Sequence, residues 1–344
     1  MKVGHNKGID RIRSLRRETH KSEEVTDNES IDLEAHVPEP IPDSRLRLIF
    51  TCCHPALEEK SRVALTLRNV CNLTTREIAQ TFLDTEKNIG QRIFRAKEKI
   101  KTKGIGFAVP EPKQWQDRLT TVLSTIYLIF TTGYINENNS NRDLCEEAIF
   151  LARLLVQLKP NEPEIEGILA LMLLTEARRS TRIDQTGAVV PVEHQDHLRW
   201  QTEHIAEAQI LLVQAMEKKS PGPFQIKAVI SDCHMMKPKP DWEQMSLLYG
   251  SLWKYEPSPV VALNWAVVMA ETQRVELAMQ KLEELEKELK NFQPWQAVRA
   301  HVLEKIGRVA DAKNAYRQAI DNAQNPAARK LLENKLTSLN TSFR

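Results

Sequence analysis

Lys87, Asn88, Gln91, Arg92 and Arg95 fall within nine consecutive residues, and all five carry side chains suited to gripping nucleic acid. An arginine fork can hold guanine, the amides of Asn and Gln can hold adenine, and lysine neutralises phosphate. Helical spacing puts Lys87, Asn88, Gln91 and Arg95 on one face, with Arg92 flanking it. Ile89, Ile93, Ala96 and Ile100 form an apolar stripe on the opposite face, where a neighbouring helix can pack. Lys97, Lys99, Lys101 and Lys103 extend the positive charge, but the macrodipole favours lysines at the end of any solvated helix. The chemistry therefore rests on the Asn, Gln and Arg face, which has little acid until Glu98.

Two short helices must position that face. Thr74-Thr75-Arg76-Glu77 is a capping box, in which a hydroxyl and a carboxylate satisfy free backbone donors at a helix start. Ile78, Ala79 and Phe82 make the inner stripe of this helix, Leu83-Asp84-Thr85 the turn, and Asp84 or Thr85 the cap of a second helix running to about Lys101. The spacing is that of a helix-turn-helix, whose second helix lies in a DNA major groove. Upstream, "SRLRLIFTCC" (44–53) is broken by Pro55 and resumes in "LEEKSRVALTLRNV" (57–70), and Gly104 and Pro110 close the domain.

The remaining sequence predicts an all-α protein. Glycine is scarce, at 11 in 344 residues, and apolar residues recur at three and four rather than in alternation. The net charge of +2 conceals segregation: residues 1–20 are basic, 21–43 acidic, 44–105 basic again and the rest mildly acidic, which suits nucleic-acid contact by the basic parts. "KSEEVTDNESIDLEAHVPEPIPD" (21–43) reads as a flexible acidic linker. From 106 to 344 we expect a helical extension with amphipathic segments at 117–130, 142–155 and 164–180. Near its end Ala266, Arg274 and Ala278 recur as Ala300, Arg308 and Ala312, an offset of 34 residues. That is the period of a tetratricopeptide helix pair, in which small residues let helices approach closely. The repeats span about 257–323, and "PAARKLLENKL" (326–336) reads as a capping helix.

Other chemistries find little support. Five cysteines without framework spacing suggest reduced thiols. Cys52-Cys53-His54 with Cys71 has no paired knuckle, and His194, His197 and His204 lie in a polar stretch, so we assign no metal and no cofactor. No Gly-rich phosphate loop, nucleophile elbow or HExxH motif points to an enzyme, and no catalytic residue is assigned. No apolar run reaches membrane-spanning length and no signal sequence opens the chain, so a cytoplasmic location is expected.

Residues 43–110 resemble the promoter-binding fourth domain of extracytoplasmic-function sigma factors, and the match extends to the subgroup with a long tetratricopeptide-like extension. "YLIFTTGY" (127–134), "RDLCEEAIFLARLL" (142–155), "ALMLLTEARRSTRIDQTG" (170–187), "RWQTEHIAEAQILL" (199–212), "GPFQIKAVI" (222–230) and "PSPVVALNWAVVMAE" (257–271) carry the resemblance beyond that domain. Thr131-Thr132 replace the family's usual Asn-Glu. The resemblance implies a sigma factor of the sigma-70 superfamily that binds core RNA polymerase at the β flap. It places Lys87, Asn88, Gln91, Arg92 and Arg95 at the minus-thirty-five element of promoter DNA.

By the same resemblance "GHNKGIDRIRSLRRE" (4–18) is similar to the last helix of the second sigma domain, and Asn6, Asp10, Arg11, Arg13 and Arg17 are its expected minus-ten contacts. The helices that precede it in the family are expected to supply the β′ clamp contact, and the chain is read as starting inside that domain. A protein partner is expected on the extension. The other reading of the sequence is an interaction protein, a tetratricopeptide scaffold or decoy with residual DNA binding that does not initiate transcription alone.

Overall fold

The structure, a computed structural model, describes residues 41–82, 84–135, 143–236 and 238–341. Those residues form fifteen α-helices and no strand, so the fold is all-α: a helix-turn-helix followed by a long helical array. The expectations for residues 1–20 and for most of the 21–43 linker lie outside the described residues. No helix described is long and apolar enough to cross a membrane. Contacts divide the chain into two compact units, Met1–Pro160 and Asn161–Arg344.

The first unit contains α1 (Ile41–Cys52), α2 (Glu59–Asn69), α3 (Thr75–Thr81), α4 (Glu86–Thr102), α5 (Trp115–Ile135) and α6 (Leu144–Leu158). Helix α1 begins at Ile41, with Pro42 in the first turn, where a missing N–H is of no consequence. Ile49, Phe50, Leu65, Leu67, Leu73, Ile78 and Ile89 are fully buried among α1–α4. After the break at Gly104–Pro110 the chain folds back onto this domain. Arg118 Nη2 on α5 donates to the Phe50 carbonyl at 2.8 Å, and the Trp115 ring lies 5.1 Å from that of Phe50. Gly133 lets α5 and α6 meet, since a Cβ there would fall 2.7 Å from the Leu144 side chain.

The second unit starts with α7 (Pro163–Ala177), α8 (Thr202–Glu217), α9 (Pro223–His234) and α10 (Trp242–Tyr255). The sequence led us to expect an amphipathic helix at α7, and the structure corrects this: α7 is buried on nearly every side. Helices α8 and α9 both pack against it, so no face is left for solvent. Even its Glu164 is buried, capping α9 by accepting from the Phe224 N–H at 3.0 Å and the Gln225 N–H at 3.1 Å. Gly222 is required beside it, because a Cβ there would collide with that carboxylate. His194 and His197 lie in short 3₁₀ turns and His204 in the first turn of α8.

The array ends in α11 (Pro259–Glu271), α12 (Val275–Leu289), α13 (Gln293–Lys305), α14 (Val309–Asp321) and α15 (Pro326–Thr341). Ala266, Ala278, Ala300 and Ala312, the repeated small residues, have no exposed surface. Arg274 and Arg308 occupy equivalent cap positions before α12 and α14. The residue before each is left-handed, Gln273 at φ 65° and Gly307 at φ 77°. Leu332 and Leu339 of α15 close the core over α13 and α14. All five cysteines are free and buried.

Candidate nucleic-acid interface

The local sequence builds the start of α3 as expected. The Thr74 N–H donates to Glu77 Oε2 at 2.7 Å and the Glu77 N–H donates to Thr74 Oγ1 at 3.2 Å, the reciprocal pair of a capping box. Ile78 and Ala79 are buried, and Phe82 is half-buried. At the start of α4 it is Thr85 that caps the backbone, accepting from the Asn88 N–H at 3.1 Å. At the other end Gly104, at φ 60°, places the Ile105 N–H on the Ile100 carbonyl at 3.0 Å and its own on Lys101 at 3.2 Å. This is a Schellman stop, and it needs the left-handed residue that glycine supplies.

Between these caps α4 has two chemically opposite faces. Ile89, Ile93, Ala96 and Ile100 are its buried residues. Lys87, Asn88, Gln91 and Arg95 are exposed and Arg92 is half-buried. Asn88, Gln91, Arg92 and Arg95 line one shallow groove of about 330 Å³ with Lys99, facing Leu57, Glu58 and Ser61 at the start of α2. Lys87 lies outside that groove, on the first turn. A helix about 10–12 Å across with its side chains fits a B-DNA major groove about 12 Å wide, and the exposed strip presents both charge and directional donors.

Sequence reasoning missed the part played by Asp84, which it read only as a possible cap. Its Oδ1 accepts from Asn88 Nδ2 at 2.7 Å and from the Thr85 N–H at 2.7 Å, while Oδ2 lies 3.3 Å from Arg92 Nη2. The Asn88 hydrogen bond, then the Thr85 N–H and the Arg92 guanidinium, hold the Asp84 carboxyl below the usual carboxylate range. The signal was present as the spacing 84, 88, 92, since side chains four apart meet on a helical path. Asn6, Asp10, Arg11, Arg13 and Arg17 lie outside the described residues.

The cysteine and histidine candidates do not assemble into a rival site. Among the described residues no three His, Cys, Asp or Glu side chains gather as a metal-holding group. Cys53 Sγ lies 3.4 Å from Thr66 Oγ1, and Asn69 Nδ2 lies 3.9 Å from Cys52 Sγ. Burial pushes both thiols up, which favours the protonated form over the thiolate a metal requires.

A capped helix pair with one polar outward strip, joined to stacked helical repeats, defines a helix-turn-helix protein with a tetratricopeptide-like extension. Residues 47–100 match the family described as Sigma-70, region 4, and residues 253–341 match a tetratricopeptide repeat-like domain. Residues 118–216, between them, match a family described as of unknown function (DUF6596). The chain is similar to the "Uncharacterized protein R00370" of Rhizobium meliloti (strain 1021), at 39% identity over 334 residues, covering 94% of this chain and 79% of that one. The chain belongs to the same family as that relative, and its matched domains make it a sigma-70-family protein with a tetratricopeptide repeat-like extension.

Proposed function

We propose that the protein is a cytoplasmic transcription-initiation factor of the extracytoplasmic-function type, which binds core RNA polymerase and directs it to promoters. The observation that carries this reading is α4 itself: a helix capped at both ends, held by an isoleucine face, with Asn88, Gln91, Arg92 and Arg95 on one outward strip. In this reading those four residues and Lys87 meet the minus-thirty-five element. Arg and the amides read bases, while the lysines neutralise phosphate. The first unit docks on the β flap of the polymerase. Asn6, Asp10, Arg11, Arg13 and Arg17 are proposed to meet the minus-ten element, next to a β′ clamp contact made by the second sigma domain. The helical extension takes a protein partner and regulates the DNA-binding part, in keeping with the surfaces that stacked helical repeats present.

The test is association of the 344-residue chain with purified core polymerase, followed by selection of duplex sites from a randomised library by the resulting complex. The reading expects a stable complex and an enriched motif whose binding weakens steeply as salt rises. A chain that selects a motif alone but never associates with core polymerase would sink the initiation role and leave a DNA-binding scaffold.

A further inference from the structure

The turn before α4 carries a negative charge where a DNA-reading surface would be expected to avoid one. Asp84 lies one residue before the Thr85 cap, and its carboxylate is engaged on both oxygens: Asn88 and the Thr85 N–H on Oδ1, Arg92 on Oδ2. Two of the proposed contact residues are thereby tied to one anchor. The consequence for each differs.

Asn88 has two amide hydrogens and a carbonyl, and Asp84 takes one of the hydrogens. The carbonyl and the second hydrogen are the pair that grips adenine, so the bond to Asp84 fixes which way that pair points. Arg92 has five N–H groups in a rigid fork, and one nitrogen faces Asp84. Its charge is partly neutralised within the chain, which lowers its attraction for any phosphate regardless of sequence. A carboxylate at this place also repels a polyanion directly.

We infer that Asp84 is a specificity-positioning residue: it orients Asn88 and Arg92 for base contact and lowers non-specific attraction to DNA. The inference rests on the proposed DNA interface and adds to it a residue that works against affinity and for discrimination. The two effects have opposite signs, which a residue with a merely structural role would not produce. Loss of a structural turn weakens all binding together.

The test uses the full chain with two probes: a duplex enriched from a randomised library by the unaltered chain, and a scrambled duplex of the same composition. Asp84→Ala is expected to bind the scrambled duplex several-fold more tightly, with a salt dependence steeper by about one released counterion, because Arg92 becomes available to phosphate. Its preference for the enriched site is expected to fall on the order of tenfold, the scale of one good base contact. Asp84→Asn keeps an acceptor for Asn88 and the Thr85 N–H without the charge, so it should tighten scrambled binding yet retain most of the preference. Should Asp84→Ala fail to fold, Asp84→Asn decides the charge effect alone. In an Arg92→Ala background, Asp84→Ala should steepen the salt dependence less than it does in the unaltered chain, the remainder reporting direct repulsion, which isolates the pair. Unaltered binding and preference in both Asp84 variants, with Arg95→Ala still losing preference, would overturn this inference and leave the interface standing. Failure of the unaltered chain to enrich any site, both alone and in complex with core polymerase, would overturn both.

Discussion

The two compact units use polar side chains in opposite ways. On α4 of the first unit Gln91 and Arg95 point outward, while the buried face of Ile89, Ile93, Ala96 and Ile100 packs against the neighbouring helices. In the second unit polar groups are turned on the protein itself. Glu164 is buried as a cap for α9, and Glu271 accepts from Lys305 at 3.1 Å and lies 2.8 Å from His301 Nε2, tying α11 to α13. Recognition requires donors left to solvent until a ligand arrives, whereas stacking of repeats requires polar groups satisfied within the stack. Polar side chains therefore mark a candidate site in one unit and a fastening in the other, and the protein partners they find distinguish the two.

The sharpest way to separate the units is to damage the core of the second. Trp295 is buried and donates Nε1–H to the Leu282 carbonyl at 3.1 Å, so Trp295→Ala should cost roughly 3–5 kcal/mol. Urea unfolding of the full chain should show that loss while duplex binding persists. If DNA binding collapses with the repeat core, the division of labour is wrong.

Within the first unit, Arg95→Ala should reduce discrimination between an enriched and a scrambled duplex by about 1–3 kcal/mol. Lys103→Ala, beyond the last turn of α4, should weaken both duplexes alike. Competition binding reads the difference, and equal behaviour of the two variants would make α4 a mere electrostatic surface.

A third test asks whether the buried polar groups of the second unit set its acid sensitivity. Burial, with Arg178 nearby, lowers His234 from 6.5 to about 4. The unfolded chain binds the extra proton across that window, so this contribution is whole above pH 6.5 and is lost as pH falls to about 4. The loss should be roughly 3 kcal/mol, and His234→Gln should flatten the dependence in melts taken between those pH values.

Smaller effects test the local signals. Thr74→Ala removes the capping hydroxyl of α3 and should cost about 1 kcal/mol in the first unit. Gln273→Gly relieves a left-handed residue at the position matching Gly307 and should stabilise the second unit by roughly 0.5–1 kcal/mol. Thermal melts of each variant check both signs, and a destabilised Gln273→Gly would show that the two repeats are not equivalent in backbone.

Much of the capped helix pair that carries the candidate interface was legible because it is local. The faces of α4 follow from helical period, the start of α3 from Thr74 and Glu77, and the stop of α4 from Gly104, all of which act within one or two turns. The repeat was legible for a related reason: Ala266 and Ala300 are equivalent under a fixed offset, so the sequence states the same packing requirement twice. Helix α7 was misread as amphipathic because its scattered acids resemble a solvent face. Only the presence of α8 and α9 against it shows that Glu164 and its neighbours are inside.

What the sequence determined by itself was the all-α class, the capped helix pair, the outward strip of α4 and the repeat, since each depends on interactions between residues three to four apart or on a repeated period. Tertiary structure decided the rest. It joined α5 to the DNA-binding helices through Arg118 and Phe50, 68 residues apart, and set the start of α2 against α4 to shape the groove. It also selected Thr85 over Asp84 as the cap, committing Asp84 to Asn88 and Arg92. Sequence separation explains the difference for the distant pairs, because no local period encodes which remote groups will meet. For Asp84 the spacing was present, but only the folded turn shows where its carboxylate points.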